Sequence, residues 1–257
     1  MLQTYLLLCG SAFLAGAVNS IAGGGTLLTF PALMAVVPAV AANATSTFAL
    51  VPGSMAGAWA YRREMGASRK WAWLLLLPSI VGGFIGTLLV TNLDDKYFED
   101  SVPYLILLAT LLFMSQPVLS RWVGVGAHHS SPSKGTLAAI IGFQFLVAIY
   151  GGYFGAGIGI LMLSALSLMG FDDIHKMNAL KTLLAAVINT VSVLLFIGFG
   201  KVVWEYGLVM AVAAIAGGYA GASSARRMNR AVVRWIVIGI GLTLSAYYFA
   251  KQVGWVS

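Results

Sequence analysis

Lys181 stands inside a long apolar run, and no further charge follows it until Lys201. An ionisable side chain at such a place is costly in a bilayer and usually serves a substrate or an ion. The plainer reading is a lysine that snorkels to the interface, which its position about one turn beyond His175 and Lys176 allows. Asn178 lies three residues before it, and Asn189 further along the same run. Asn43, Thr45 and Ser46 form a similar group earlier in the chain, with Asn19, Thr47 and Thr182 as further polar neighbours. Singly, such groups also glue membrane helices together, at about 0.6 kcal/mol each. Their interest is their grouping beside two glycine-rich breaks. One is Gly23, Gly24 and Gly25; the other runs from Gly151 and Gly152 through Gly155, Gly157 and Gly159. A helix that restarts after a break aims free N–H groups and a positive dipole end at it, which suits an anion. The competing reading is close helix packing, since small residues also mediate contact between membrane helices.

The carboxylates point the same way. Glu64, Asp94, Asp95, Glu99, Asp100, Asp172, Asp173 and Glu205 all fall in loops or at segment edges. Cation pumps and most proton-coupled carriers keep acids inside the membrane, so a cationic site without a buried counter-acid suits an anionic substrate. His128, His129 and His175 fall in loops, leaving neither a Ser–His pair nor a histidine metal site within the membrane. Gly53-Ser54 lacks the Gly-x-Ser arrangement of a serine intramembrane protease, and there is no phosphate-binding P-loop. Lone Cys9 excludes an internal disulfide and a cysteine-based metal cluster. No enzyme activity, metal or cofactor is expected.

The elements that must position these residues follow from composition. The chain has 257 residues, 60% hydrophobic and 9% charged, with mean hydropathy +0.90. A soluble domain carries about 25% charged residues, so a soluble enzyme and a disordered chain are both excluded. The lipid bilayer is the expected surrounding. The net charge of +7 sits in short loops between apolar runs, as in cytoplasmic membrane loops, and argues against nucleic-acid binding. Met1 to Ala17 lacks a basic start and reads as a retained first helix rather than a signal peptide.

Ten apolar segments are expected, at about 4–22, 26–40, 43–61, 71–92, 101–120, 134–152, 155–170, 177–199, 202–225 and 231–250. The second and seventh are short for a crossing of about 20 residues. Each forms either a tight second crossing or a re-entrant hairpin with the segment before it. Arg62, Arg63, Arg69 and Lys70 assign the 61–70 loop to the cytoplasm, as Arg226, Arg227 and Arg230 do for theirs. The acidic 93–101 loop and both termini then lie outside.

The halves resemble each other. Ala22-Gly-Gly-Gly-Thr-Leu-Leu-Thr-Phe-Pro-Ala-Leu33 aligns with Gly155-Ala-Gly-Ile-Gly-Ile-Leu-Met-Leu-Ser-Ala-Leu166. Asn43-Ala-Thr-Ser46 aligns with Asn178-Ala-Leu-Lys181, and Gly82-Gly-Phe-Ile-Gly86 with Gly217-Gly-Tyr-Ala-Gly221. Five segments per half is an odd number, so the second half enters from the opposite side. The expected fold class is an all-α integral membrane protein of two inverted-topology repeats, with glycine-broken helices or re-entrant hairpins. Expected boundaries are 1–125 and 134–257 for the repeats and 126–133 for a cytoplasmic linker. Ser46 is the repeat mate of Lys181, so the site has one hydroxyl and one cationic wall.

Gly23-Gly-Gly-Thr-Leu-Leu-Thr-Phe-Pro-Ala-Leu33, Ala42-Asn-Ala-Thr-Ser46 and Ala60-Tyr-Arg-Arg63 resemble the N-terminal signature of the TauE/SafE family of sulfite and organosulfonate exporters. Gly152-Tyr-Phe-Gly-Ala-Gly-Ile-Gly159, Asn178-Ala-Leu-Lys-Thr182 and Gly217-Gly-Tyr-Ala-Gly221 fit its second half, and the likeness covers roughly residues 10–250. This resemblance implies a carrier in the bacterial inner membrane that exports a small sulfur-containing anion such as sulfite, sulfoacetate or a related sulfonate. Many halves of the family carry Gly-Thr-Ser where this chain has Asn178-Ala-Leu-Lys181, which implies a preference for a more strongly anionic compound if both walls bind substrate. The residues expected at the substrate are Gly23, Gly24, Gly25, Asn43, Thr45, Ser46, Gly155, Gly157, Asn178, Lys181 and Asn189. A passive anion channel, a membrane-embedded enzyme and a structural subunit are the rival readings; oligomeric state is open.

Overall fold

The described residues fold into ten helices. They are α1 (Leu2–Ile21), α2 (Thr26–Met34), α3 (Ala39–Ala60), α4 (Arg69–Asn92), α5 (Asp95–Val125), α6 (Lys134–Tyr153), α7 (Ile158–Ser167), α8 (Ile174–Gly198), α9 (Trp204–Ser224) and α10 (Arg230–Gln252). This computed structural model describes residues 1–21, 24–60, 62, 66, 69–125, 134–167, 174–224 and 230–255. Every element among them is helical, as expected of an all-α membrane protein. Gly23, the expected linker 126–133, His128, His129, Asp172, Asp173, Arg226 and Arg227 lie outside the described residues.

Local chemistry sets the ends. Pro38 cannot continue α2, and its carbonyl accepts the Ala42 N–H at 2.8 Å to open α3. At the end of α8, Gly200 takes φ +65. Lys201 N–H then reaches Phe196 O at 2.9 Å and Gly200 N–H reaches Ile197 O at 3.0 Å, which closes the last turn. Among the described residues, five helices have spans long and apolar enough to cross a membrane by length and composition: α1, α4, α5, α6 and α8. Large apolar side chains such as Leu7, Leu14, Leu77, Phe84, Leu146, Leu194, Val212 and Ile236 face outward. A soluble monomer does not expose apolar surface on this scale. The molecule is a multi-pass membrane protein.

Contacts fix the direction of every long helix. Tyr5 hydroxyl donates to Glu205, so α1 and α9 begin together. Val203 N–H donates to Thr45 Oγ1 at 3.0 Å, bringing the start of α3 to the same face. Lys201 lies 3.9 Å from Asp95, and Gln252 Nε2 donates to Asp100 O at 3.4 Å. This face thus gathers the start of α1 and the end of α10 with Asp94, Asp95, Glu99, Asp100 and Glu205, and we call it the acidic face. The opposite face starts α4, α6, α8 and α10, and the charged residues described there are basic: Arg62, Arg69, Lys70, Lys134, Lys176, Arg230 and Arg234.

Each of the two short helices folds back along the helix before it. Nine residues in α2 and ten in α7 span only about 15 Å at 1.5 Å each, half a hydrocarbon core of about 30 Å. α1 starts on the acidic face, and α2 returns to it just before α3. A Cβ placed on Gly25 would stand 2.6 Å from Ala15 O, so the second arm folds back along the first. The α6–α7 hairpin opens instead on the basic face, where α6 begins and where α8 follows.

The broadest helix contacts are α1 with α9 and α4 with α6, followed by α4 with α8, α5 with α10, α3 with α8 and α3 with α9. Exchanging the first five helices for the last five maps this set onto itself; the smaller α3–α5 contact breaks the pattern. Glycines permit the closest crossings. A Cβ on Gly217 would run into Phe13 O, one on Gly86 into Ile149 O, and one on Gly152 into Gly83 O. The expected break at 151–159 is therefore narrower than its glycines suggest. Gly151 and Gly152 remain inside α6, where Gly152 serves the crossing with α4, and the chain leaves helical geometry only at 154–157.

Candidate functional site

At the first break Gly24 adopts φ +91, and a Cβ there would enter the Phe113 ring. Gly25 caps α2 without a side chain of its own. Its N–H is taken by Asn19 Oδ1 at 2.7 Å, so one of the donors expected to face an anion is already engaged. At the second break Gly155 and Gly157 adopt φ +83 and +79, where a Cβ would be strained. Tyr150 O accepts from both Phe154 N–H and Gly155 N–H. Tyr150 hydroxyl reaches across the turn to Ala156 O at 2.8 Å. α5 sheathes both tips, through Phe113 beside Gly24 and through Ala109 and Leu112 beside Gly157. Phe154 also stacks edge-on against Phe30 of α2, with centroids 5.1 Å apart.

Lys181 lies half-buried on α8. Its Nζ donates to Asn178 Oδ1 at 3.1 Å, and its stem passes Gly159, where a Cβ would stand 3.3 Å from Lys181 Cδ. The ammonium is thus held beside the first turn of α7. Among the described residues no carboxylate pairs with it; the one ion pair there joins Lys201 and Asp95. Asn189, two turns further along α8, stands beside the second break, with its Oδ1 3.9 Å from a Cβ on Gly155.

On α3, Asn43 is 1% exposed and Ser46 fully buried. Asn43 Nδ2 donates to Tyr153 O, the last carbonyl of α6, at 2.9 Å. Ser46 Oγ shares a hydrogen bond of 2.6 Å with Thr29 Oγ1 on α2. Thr45 is occupied in receiving the Val203 N–H and so anchors the entry to α9. The expected single site with Ser46 and Lys181 on facing walls is not what the register gives. Gly57 stands beside Thr182, a Cβ there being 3.3 Å from Thr182 Cγ2. Ser46 lies eleven residues before Gly57, about 16 Å along α3 at 1.5 Å per residue. The Asn43–Ser46 group therefore lies toward the acidic face and the Asn178–Lys181 group toward the basic face.

Other polar groups inside the bundle escaped the sequence reading. Thr87 Oγ1 lies 3.1 Å from Gly152 O and 2.9 Å from Ser192 Oγ, which joins α4, α6 and α8. Gln144 Nε2 donates to Ser79 Oγ at 2.9 Å. Each is visible as a polar residue within an apolar run; its partner, 65 or more positions away, is not. Neither of two surface hollows touches the candidate residues. One of about 360 Å³ is lined by Ile85, Leu88, Leu89, Asn92 and Leu93, and one of about 170 Å³ lies by Glu99 and Lys251.

Ten described helices with apolar outer faces, two of them short and following glycine-bent turns, make an all-α membrane protein. The model of the family described as sulfite exporter TauE/SafE matches residues 8–248. The chain belongs to that family. It is 29% identical over 249 residues to a probable membrane transporter protein of Haemophilus influenzae, covering 95% of this chain and 93% of that one. The probable membrane transporter protein YfcA of Escherichia coli K12 is 31% identical over 237 residues, with 91% and 86% covered. The probable membrane transporter protein ORF9 of a Sinorhizobium species is 29% identical over 239 residues, with 91% and 88% covered. No solved structure matches the chain.

Proposed function

We propose that this transporter is a secondary carrier that moves a small sulfur-containing anion, sulfite, sulfoacetate or another organosulfonate, outward across the cytoplasmic membrane without catalysing a reaction. The observation that carries the reading is Lys181. Its ammonium stands on a neutral amide of the helix bundle, against the first turn of α7, with no carboxylate paired to it among the described residues. An oxyanion arriving there gains a fixed positive charge and the positive end of α7. Asn178 and Asn189 orient its oxygens, and Gly155 and Gly157 let the backbone approach. The class of anion and the outward direction come from the family's description.

Residues 1–125 and 134–257 act as repeats of opposite orientation that rock to alternate access. The exchange of packing partners and the two opposed hairpins support this. The basic face is cytoplasmic, because lysine and arginine collect on that side of membrane proteins. Lys181 then lies about 10 Å in from the cytoplasmic end of α8, within reach of an anion leaving the cell.

The test is uptake of labelled sulfite, thiosulfate, sulfoacetate and sulfate into proteoliposomes, with an uncharged amino acid as control. Saturable flux of one sulfur anion is expected, and Lys181→Ala should lower it about tenfold or more while the protein stays folded. Flux without saturation would make the protein a channel. Unchanged affinity in folded Lys181→Ala would reduce the lysine to an interfacial anchor.

A further inference from the structure

The two halves treat one amide oxygen differently. In the second, Asn178 Oδ1 receives the Lys181 ammonium at 3.1 Å. The aligned residues of the first half are Asn43 and Ser46. Asn43 Nδ2 is committed to Tyr153 O at 2.9 Å, which fixes the amide. Its Oδ1 is buried and has no hydrogen-bond partner among the described residues. Buried polar atoms in native proteins seldom stay so. The residue that would supply the partner by repeat symmetry is Ser46, whose short hydroxyl turns to Thr29 Oγ1 at 2.6 Å. Where Lys181 brings a positive charge to Asn178, no described residue of the first half brings one to Asn43.

The surroundings decide which kind of ligand fits. Asn43 and Ser46, three residues apart, share one face of α3. Tyr153 is the last residue of α6, so the negative end of that helix points toward Asn43. The place offers an amide oxygen, two hydroxyl oxygens and a helix C-terminus, and none of the named groups is basic. Helix C-termini and carbonyl oxygens beside a break are what hold coupling cations in carriers with discontinuous helices. A divalent ion draws on carboxylates, and none of these donors is one, so the charge that suits them is a single one.

We propose that a monovalent metal cation binds at Asn43 Oδ1 with the Ser46 and Thr29 hydroxyl oxygens, in the place that the Lys181 ammonium takes against Asn178. Its purpose, to couple anion export to a cation gradient, rests on the carrier reading above; its binding does not. One half then carries its positive charge covalently and the other borrows it from solution. This also accounts for how a bundle whose described carboxylates all lie at the segment ends can couple to an ion.

Thermal unfolding of the purified full-length protein, with NaCl or KCl titrated against choline chloride at constant ionic strength, tests the site directly. The wild type should gain stability with Na⁺ or K⁺ in a saturable manner and none with choline. Asn43→Leu should raise the half-saturating concentration about tenfold or more. Ser46→Lys, which supplies the ammonium in place, should make the melting temperature independent of the metal cation. Thr29→Ala, a smaller change, should weaken the response if either of those variants fails to fold. No response to either cation in the wild type, or the same response in all folded variants, overturns the proposal. Anion flux separates the two readings. A cation response without flux of any sulfur anion sinks the carrier reading alone, whereas saturable flux without a cation response sinks the cation site alone.

Discussion

The Tyr150 hydroxyl shows what one atom does for the second break. It donates to Ala156 O across the turn, within the partly buried interior of the bundle. Tyr150→Phe leaves the carbonyl unpaired and should lower stability in detergent by about 1–3 kcal/mol. Tyr153→Phe is the comparison, because that hydroxyl lies 3.5 Å from Ser101 Oγ, at the edge of bonding distance, and its loss should cost less than about 0.5 kcal/mol. Equal losses in chemical unfolding would deny Tyr150 its special part. At this scale the sequence was partly readable. Lys181 and Asn178 stand three apart on one helix, and their contact follows from helical spacing alone. The orphaned Asn43 oxygen did not, because it depends on Tyr153, 110 positions away, taking the other end of the amide. Thr45 looked equal to Ser46 in sequence, yet one turns to the backbone ahead of α9 and the other to α2.

Among the helices, glycine has two separate duties that composition does not distinguish. Gly24, Gly155 and Gly157 bend the chain at positive φ, whereas Gly86, Gly152 and Gly217 stay helical and admit a neighbouring backbone. The ten segments and the shortness of the second and seventh were legible from hydropathy. The exact width of the second break was not, since Gly151 and Gly152 change meaning only once α4 is packed against them. Gly86→Ala and Gly217→Ala should each destabilise the protein, because a carbonyl oxygen occupies the space of the new methyl group. Gly142→Ala and Gly239→Ala meet open space within α6 and α10. They should raise stability by up to about 1 kcal/mol through helix propensity. Thermal unfolding of the four variants checks the contrast, and a loss at Gly142 as large as that at Gly86 would refute the crossing argument.

For the molecule as a whole, charge reports orientation. Loop charges alone assigned the termini and the 93–101 loop to one side, and the contacts Tyr5–Glu205, Lys201–Asp95 and Gln252–Asp100 gather those same segments. In a protein with Cys9 replaced by serine, cysteine at Asp94 should react with a membrane-impermeant maleimide in intact cells. Cysteine at Gly66 should react only after lysis. The reverse pattern would invert the orientation and place Lys181 on the wrong side for capture from the cytoplasm. What loop charges could not convey is that the halves interlock, since each of the broadest crossings pairs a helix of the first five with one of the last five.

That interlocking bears on how the protein is made. When synthesis has delivered only α1 to α5, the glycine faces of α1 and α4 still await α9 and α6, their principal neighbours. Lipid tails must cover them in the meantime. α4 finds its partner as soon as α6 leaves the insertion machinery, but α1 waits for nearly the whole chain. The first helix to enter the membrane is thus among the last to reach its final neighbour, and a truncated product ending before α9 leaves α1 open to quality-control proteases.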